Sequence, residues 1–208
     1  MTLPSFLLLL LTAGLILWLV FLLVRKRMHN SVAYLTKQAL AGNPDAQYRL
    51  GYTYYTGKRI SQDYSQAFHW FEQAAKNGHI PSKLALAGLY NEGKGCPKNT
   101  TVAFDLYRQV AQTGNFEGRI NWAVCYLEGW GTPKNATRGF EILKQAAEEN
   151  SPLAQTLLAQ LYEKGTGTTQ DPNQALHYYV LAAKAGEPIA KRWLDHLEPN
   201  YIHTYKNQ

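Results

Sequence analysis

Few residues in this 208-residue chain have the type and spacing for covalent chemistry. The two cysteines, Cys96 and Cys125, are too sparse for a disulfide scaffold and read as free thiols in a reducing compartment. His69 and His177 hold the same place in a repeated pattern three units apart, so they read as exposed helix residues, not as ligands of one ion. The stretches G-K-G-C (93–96) and G-T-G-T (165–168) imitate phosphate-binding loops, but each is the turn of a repeating unit. No S-x-x-K, P-loop, G-x-S-x-G or H-E-x-x-H motif occurs. The expectation is a chain with no catalytic residues, no cofactor and no metal; a hydrolase has no nucleophile motif to stand on. Asn99-Thr100-Thr101 and Asn135-Ala136-Thr137 fit glycosylation sequons, but outside a lumenal setting they are loop and helix-cap residues.

What remains is aromatic. Tyr48, Tyr52, Tyr54 and Tyr55 crowd into eight residues. Tyrosine combines large contact area and low entropy cost with a hydroxyl that can stay wet, and it is favoured at protein interfaces. Which of these rings are core and which are surface depends on the elements that carry them.

Residues 3–24 carry no charge, and as a helix rising about 1.5 Å per residue they would span roughly 33 Å, enough for a hydrocarbon layer of about 30 Å. Arg25, Lys26 and Arg27 follow directly. A cleaved signal peptide fits poorly, since the basic cluster lies after the apolar run and not before it. The expectation is an uncleaved single-pass transmembrane helix, with residues 25–208 on the cytoplasmic side by the positive-inside tendency. Beyond residue 27 the net charge falls from +6 to about +3, too mild to argue for nucleic acid.

The rest of the chain repeats. Gly57, Gly93, Gly129 and Gly165 stand 36 residues apart, as do Tyr54, Tyr90, Tyr126 and Tyr162, and Ala75, Ala111, Ala147 and Ala183. Each unit reads as two helices. The first stops at the Gly57-type position. The second starts after Asp63, Asn99, Asn135 or Asp171, all good N-caps, and ends at Gly78, Gly114, Asn150 or Gly186. The recurring tyrosine at position 54 is therefore core.

The first unit carries Ala46, Leu50, Gly51, Tyr54, Gly57, Asp63, Ala67, Trp70, Ala74, Ala75 and Gly78. This pattern resembles the Sel1-like repeat, a relative of the tetratricopeptide repeat. The departures are small: Trp122 replaces a leucine, Ser82 and Gly118 replace the first alanine, and Arg59 stands where later units have Gly95, Gly131 and Gly167. The resemblance implies an all-α, right-handed α-solenoid of helix pairs, here preceded by one transmembrane helix. Its units are expected at 44–79, 80–115, 116–151 and 152–186, with a basic flank and half-repeat helix at 25–43 and a capping helix and tail at 187–208.

In the tetratricopeptide-like arrangement, first-helix positions between the core residues line a concave face. In unit one these are Tyr48, Tyr52 and Tyr55; in unit two Leu84, Gly88 and Asn91; in unit three Ile120, Val124 and Leu127; in unit four Thr156, Gln160 and Glu163. The expected groove runs from aromatic through aliphatic to polar, with a notch at Gly88. An exposed apolar stripe of this kind marks an interaction site, here for an extended or helical segment of another protein. The competing reading is that the N-terminal partial helix covers Tyr48 and Tyr52. In function, the first reading gives a membrane-anchored adaptor. The alternative is a structural subunit or assembly factor docked through its transmembrane helix.

Overall fold

A computed structural model describes residues 15–22 and 31–196. Every regular element among them is an α-helix: α1 (Val32–Leu40), α2 (Pro44–Thr56), α3 (Tyr64–Lys76), α4 (Ile80–Glu92), α5 (Thr100–Ala111), α6 (Phe116–Glu128), α7 (Ala136–Glu148), α8 (Pro152–Lys164), α9 (Pro172–Lys184) and α10 (Pro188–Asp195). Of the apolar run at 3–24, residues 15–22 are described. They are helical, and their side chains are 37% to 70% exposed. The rest of that run, the basic cluster and the tail from 197 lie outside the described residues. Among the described residues no helix is long and apolar enough to cross a membrane.

The helix boundaries follow from local chemistry. Asp63, Asn99, Asn135 and Asp171 cap the second helices, each side chain accepting a backbone N–H two or three residues on; such a cap stabilises a helix by about 1 kcal/mol. The backbone N–H of the same four residues donates to the carbonyl of Tyr54, Tyr90, Tyr126 and Tyr162 at 2.7–3.1 Å, which closes each inter-helix turn in the same way. Asn150 takes φ +66° where the other units have glycine, as the tolerance of asparagine for that conformation allows.

The chain forms two compact units, one ending at Ser82 and the other beginning at Lys83. In the first, Leu35 and Ala39 of α1 pack with Ala46 and Leu50 of α2, flanked by Val32, Tyr54 and Trp70. Gly51 lets α2 approach α3 so closely that a Cβ there would sit 2.8 Å from the Phe71 ring. In the second, one cluster joins Ala87, Phe104, Tyr107 and Cys125, and another joins Ile120, Phe140, Leu143 and Leu158. A third joins Ala159, Tyr179 and Ala190 of α10, where Trp193 stacks on Tyr179 at 3.9 Å.

Candidate functional site

A Ser–His–Asp constellation does occur in the first unit. His79 Nε2 lies 3.1 Å from Asp45 Oδ1, and its Nδ1 lies 2.9 Å from Ser82 Oγ. The arrangement is a helix cap. The Ser82 N–H donates to Nδ1 at 3.3 Å, which places the ring proton on Nε2, facing Asp45. Position 79 corresponds to Asn43, Asn115 and Ser151, whose side chains cap α2, α6 and α8 in the same way. Ser82 itself has no exposed surface, so no substrate reaches its hydroxyl. No catalytic motif in the sequence announces this arrangement. The 36-residue register of the caps was the signal that could have found it.

His69 and His177 are exposed, each with its ring edge-on to the neighbouring Trp70 or Tyr178. Cys96 and Cys125 are both free, and burial pushes the Cys125 thiol up to about 11. Such a thiol is a weak nucleophile at neutral pH. Among the described residues no cluster of His, Cys, Asp or Glu could hold a metal ion.

The tyrosines divide. Tyr54 packs beside the α1–α2 core. Tyr55 turns to α3, its ring edge-on to Tyr64 at 5.5 Å. Tyr48 lies against Phe71 at 5.7 Å and His79 at 5.1 Å, and 6.4 Å from Tyr52, which is 48% exposed. Tyr48 and Tyr52 form part of an open cleft of about 280 Å³, together with Leu35 of α1, Arg49 and Thr53 of α2, and Arg59 of the following turn. Helix α1 thus contributes a wall to this cleft and leaves Tyr52 uncovered. Arg59 has φ +77°, the left-handed conformation that Gly95, Gly131 and Gly167 adopt in the later units.

In the second unit the expected stripe needs correction at two of its positions. Ile120 is 7% exposed and belongs to the core around Leu143, and Thr156 has no exposed surface, its hydroxyl donating to the Pro152 carbonyl. The cause is side-chain length. Tyr48 lies against the buried Phe71, the counterparts of Phe71 in the later repeats (Tyr107, Leu143 and Tyr179) are buried too, and the shorter Ile120 and Thr156 stay in the core. Leu84, Asn91, Val124, Leu127 and Gln160 are half-buried. Leu127 is spent on packing, since it fills the space a Cβ on Gly139 would take. Glu163 is exposed and accepts the Tyr179 hydroxyl at 3.0 Å. The space beside Gly88 is open: a Cβ built there meets nothing within 4 Å.

The Sel1 repeat profile matches residues 44–79, 81–115, 117–151 and 152–187, more than half of the chain. The chain belongs to the Sel1 repeat family. Its fold class is the all-α helical-repeat solenoid. Among solved structures, it is similar to a protective antigen of uropathogenic Escherichia coli strains displaying an SLR fold (30% identity, TM-score 0.71, 79% of this chain and 35% of the antigen). It is also similar to a Sel1 repeat protein from Oxalobacter formigenes (25% identity, TM-score 0.67, 74% of this chain and 63% of that one). The chain therefore corresponds to about a third of the first relative and less than two thirds of the second. Comparison with curated proteins gave no match. Sel1 repeat proteins are generally non-catalytic scaffolds that bind other proteins.

Proposed function

We propose that this chain is a membrane-anchored adaptor that holds a segment of another protein against the tyrosine-lined cleft of its first repeat. The observation that carries the reading is the cleft between α1 and α2, where Tyr52 remains 48% exposed although Leu35 stands beside it. Rings in such a place add contact area without adding to the core. A single cleft of this size would bind with micromolar affinity, about −8 kcal/mol, and tethering at a membrane raises the local concentration of partner. In this reading residues 3–24 are the anchor and residues 25–208 face the cytoplasm, on the strength of the uncharged run and the Arg25–Lys26–Arg27 cluster after it.

Crosslinking in intact membranes, read by mass spectrometry, tests the adaptor. Wild type is compared with a variant carrying Tyr48, Tyr52 and Tyr55 to Ala. Loss of a partner crosslinked near Lys37 or Lys58, in a variant that still folds, is the expected result. Unchanged crosslinks in both would sink the reading.

The eight exposed apolar residues at 15–22 support a second reading, a structural subunit docked through this helix. Exchanging residues 3–24 for an unrelated apolar helix separates the two. An adaptor keeps its partner, and a docked subunit loses its complex.

A further inference from the structure

We propose that the first helices of the last repeats form a second docking face, which takes a segment of a partner protein carrying bulky apolar side chains beside a Lys or Arg. Leu153 of α8 and Ile189 of α10 are 43% and 42% exposed. Leu157 and Trp193 follow them by one helical turn, on the same side of each helix, and are half-buried. Helix α9 stands behind both helices. Its Tyr179 shares one core with Ala159 of α8 and Ala190 of α10, and stacks on Trp193 at 3.9 Å. The four apolar side chains therefore belong to neighbouring helices of one packed unit. Single exposed apolar residues are ordinary on a protein surface, whereas an adjoining set marks an interaction site.

The repeat register shows that the fold does not require them. Leu153 corresponds to Asp45, Pro81 and Glu117, and Leu157 to Arg49, Ala85 and Asn121. Earlier units build the same helix with polar or small residues at both places. The neighbouring first helix selects the charge of the partner. On α6, Glu117 takes the place of Leu153, and Glu128 lies about three turns further along the same face; both are exposed. The one cation of α6, Arg119, is held by Glu149 at 2.6 Å. Tyr107 of α5 registers the negative charge: its hydroxyl is pushed up to about 12, first by burial and then by Cys125, Glu92 and Glu117. Lys164, the cation on the exposed face of α8, lies at the opposite end of that helix from Leu153. The surface beside Leu153 therefore repels anionic lipid headgroups and attracts Lys or Arg, and this complementarity selects a basic, apolar protein segment as the occupant.

Selection from a displayed library of random peptides about 12 residues long, on the full chain in detergent, tests this face separately from the cleft of the first repeat. Recovered peptides are expected to combine Leu, Ile, Phe or Trp with Lys or Arg. A synthetic copy of the best one should bind Leu153→Ser or Ile189→Ser about tenfold more weakly, and Tyr52→Ala as tightly as wild type. Glu117→Lys should also weaken it, by about threefold or more. That change is exposed and leaves the core alone, so it keeps the test decisive if a serine variant fails to fold. The affinity should fall as salt rises from about 0.05 to 0.5 M. Peptides lost on Tyr52→Ala but retained on Leu153→Ser and Glu117→Lys overturn this proposal and leave the cleft of the first repeat as the binding site. A selection that yields no peptide weakened by Leu153→Ser or Glu117→Lys overturns it as well. Binding that appears only after residues 197–208 are removed would put the chain's own tail on this face, and a wild-type dimer that Leu153→Ser dissolves would put a second copy there; either result overturns the partner proposal.

Discussion

Gly131 lies so close to Thr100 that a Cβ on the glycine would overlap the threonine's carbonyl oxygen. Gly167 stands in the same relation to Ala136 one repeat later. Both glycines have φ above +70°, so a side chain meets backbone strain and collision together. Gly131→Ala and Gly167→Ala are each expected to cost about 2–4 kcal/mol. Gly88→Ala is the control, because it sits mid-helix with open space around it. It should gain up to about 1 kcal/mol from helix propensity alone. Urea unfolding of the three variants measures this. A Gly131→Ala protein as stable as wild type would mean that the turn can move away from α5.

Arg59 occupies the first-repeat counterpart of those glycines at φ +77°. Arg59→Gly should therefore raise stability by about 1 kcal/mol, as measured by urea unfolding. If Arg59→Gly lowers stability, the contacts of the arginine side chain outweigh the strain of its backbone.

The imidazole of His79 does the work of an asparagine. His79→Asn should leave the unfolding free energy within a few tenths of a kcal/mol, since the repeat caps its other first helices that way, and His79→Ala should lose about 1 kcal/mol. Circular dichroism melts of the two variants decide it. Equal losses in both would show that the Asp45 contact matters more than the cap.

Much of this was legible in the sequence because the 36-residue step carries its own punctuation. The caps at Asp63, Asn99, Asn135 and Asp171, the left-handed residues at the repeat turns, and the partly buried packing of Tyr54, Tyr90, Tyr126 and Tyr162 against the cores all come from local chemistry repeated in register. The binding face was less legible, because membership depends on how far a side chain reaches past the facing helix. Tyr48 reaches the cleft beyond Phe71, whereas Ile120 and Thr156 end in the core. Nor does one helix show what lies across from it. Arg49, Arg59 and Leu35 come from three different segments, and only the folded first repeat brings them to one cleft.

The ion pair between Arg119 and Glu149 gives the second unit a pH dependence of known sign. Arg119 Nη1 donates to Glu149 Oε1 at 2.6 Å, its Nη2 reaches the Gly114 carbonyl at 3.2 Å, and its guanidinium lies 5.3 Å from the Phe116 ring. The hydrogen bond from Arg119 holds the Glu149 carboxyl below its ordinary value of 4.5. Between the two values the unfolded chain binds the proton that the folded chain refuses, so this part of the stability rises with pH. It is fully present above the ordinary carboxylate value and is lost as pH falls through the lowered one. The carboxylate is about half exposed, so salt weakens the pair. Unfolding free energies of wild type and Glu149→Gln should therefore differ by a constant above roughly pH 5 and converge on acidification, with a smaller gap in high salt. Parallel curves from roughly pH 3 to pH 6 would show that the pair adds nothing, and that Arg119 holds its place through Gly114 and Phe116 alone.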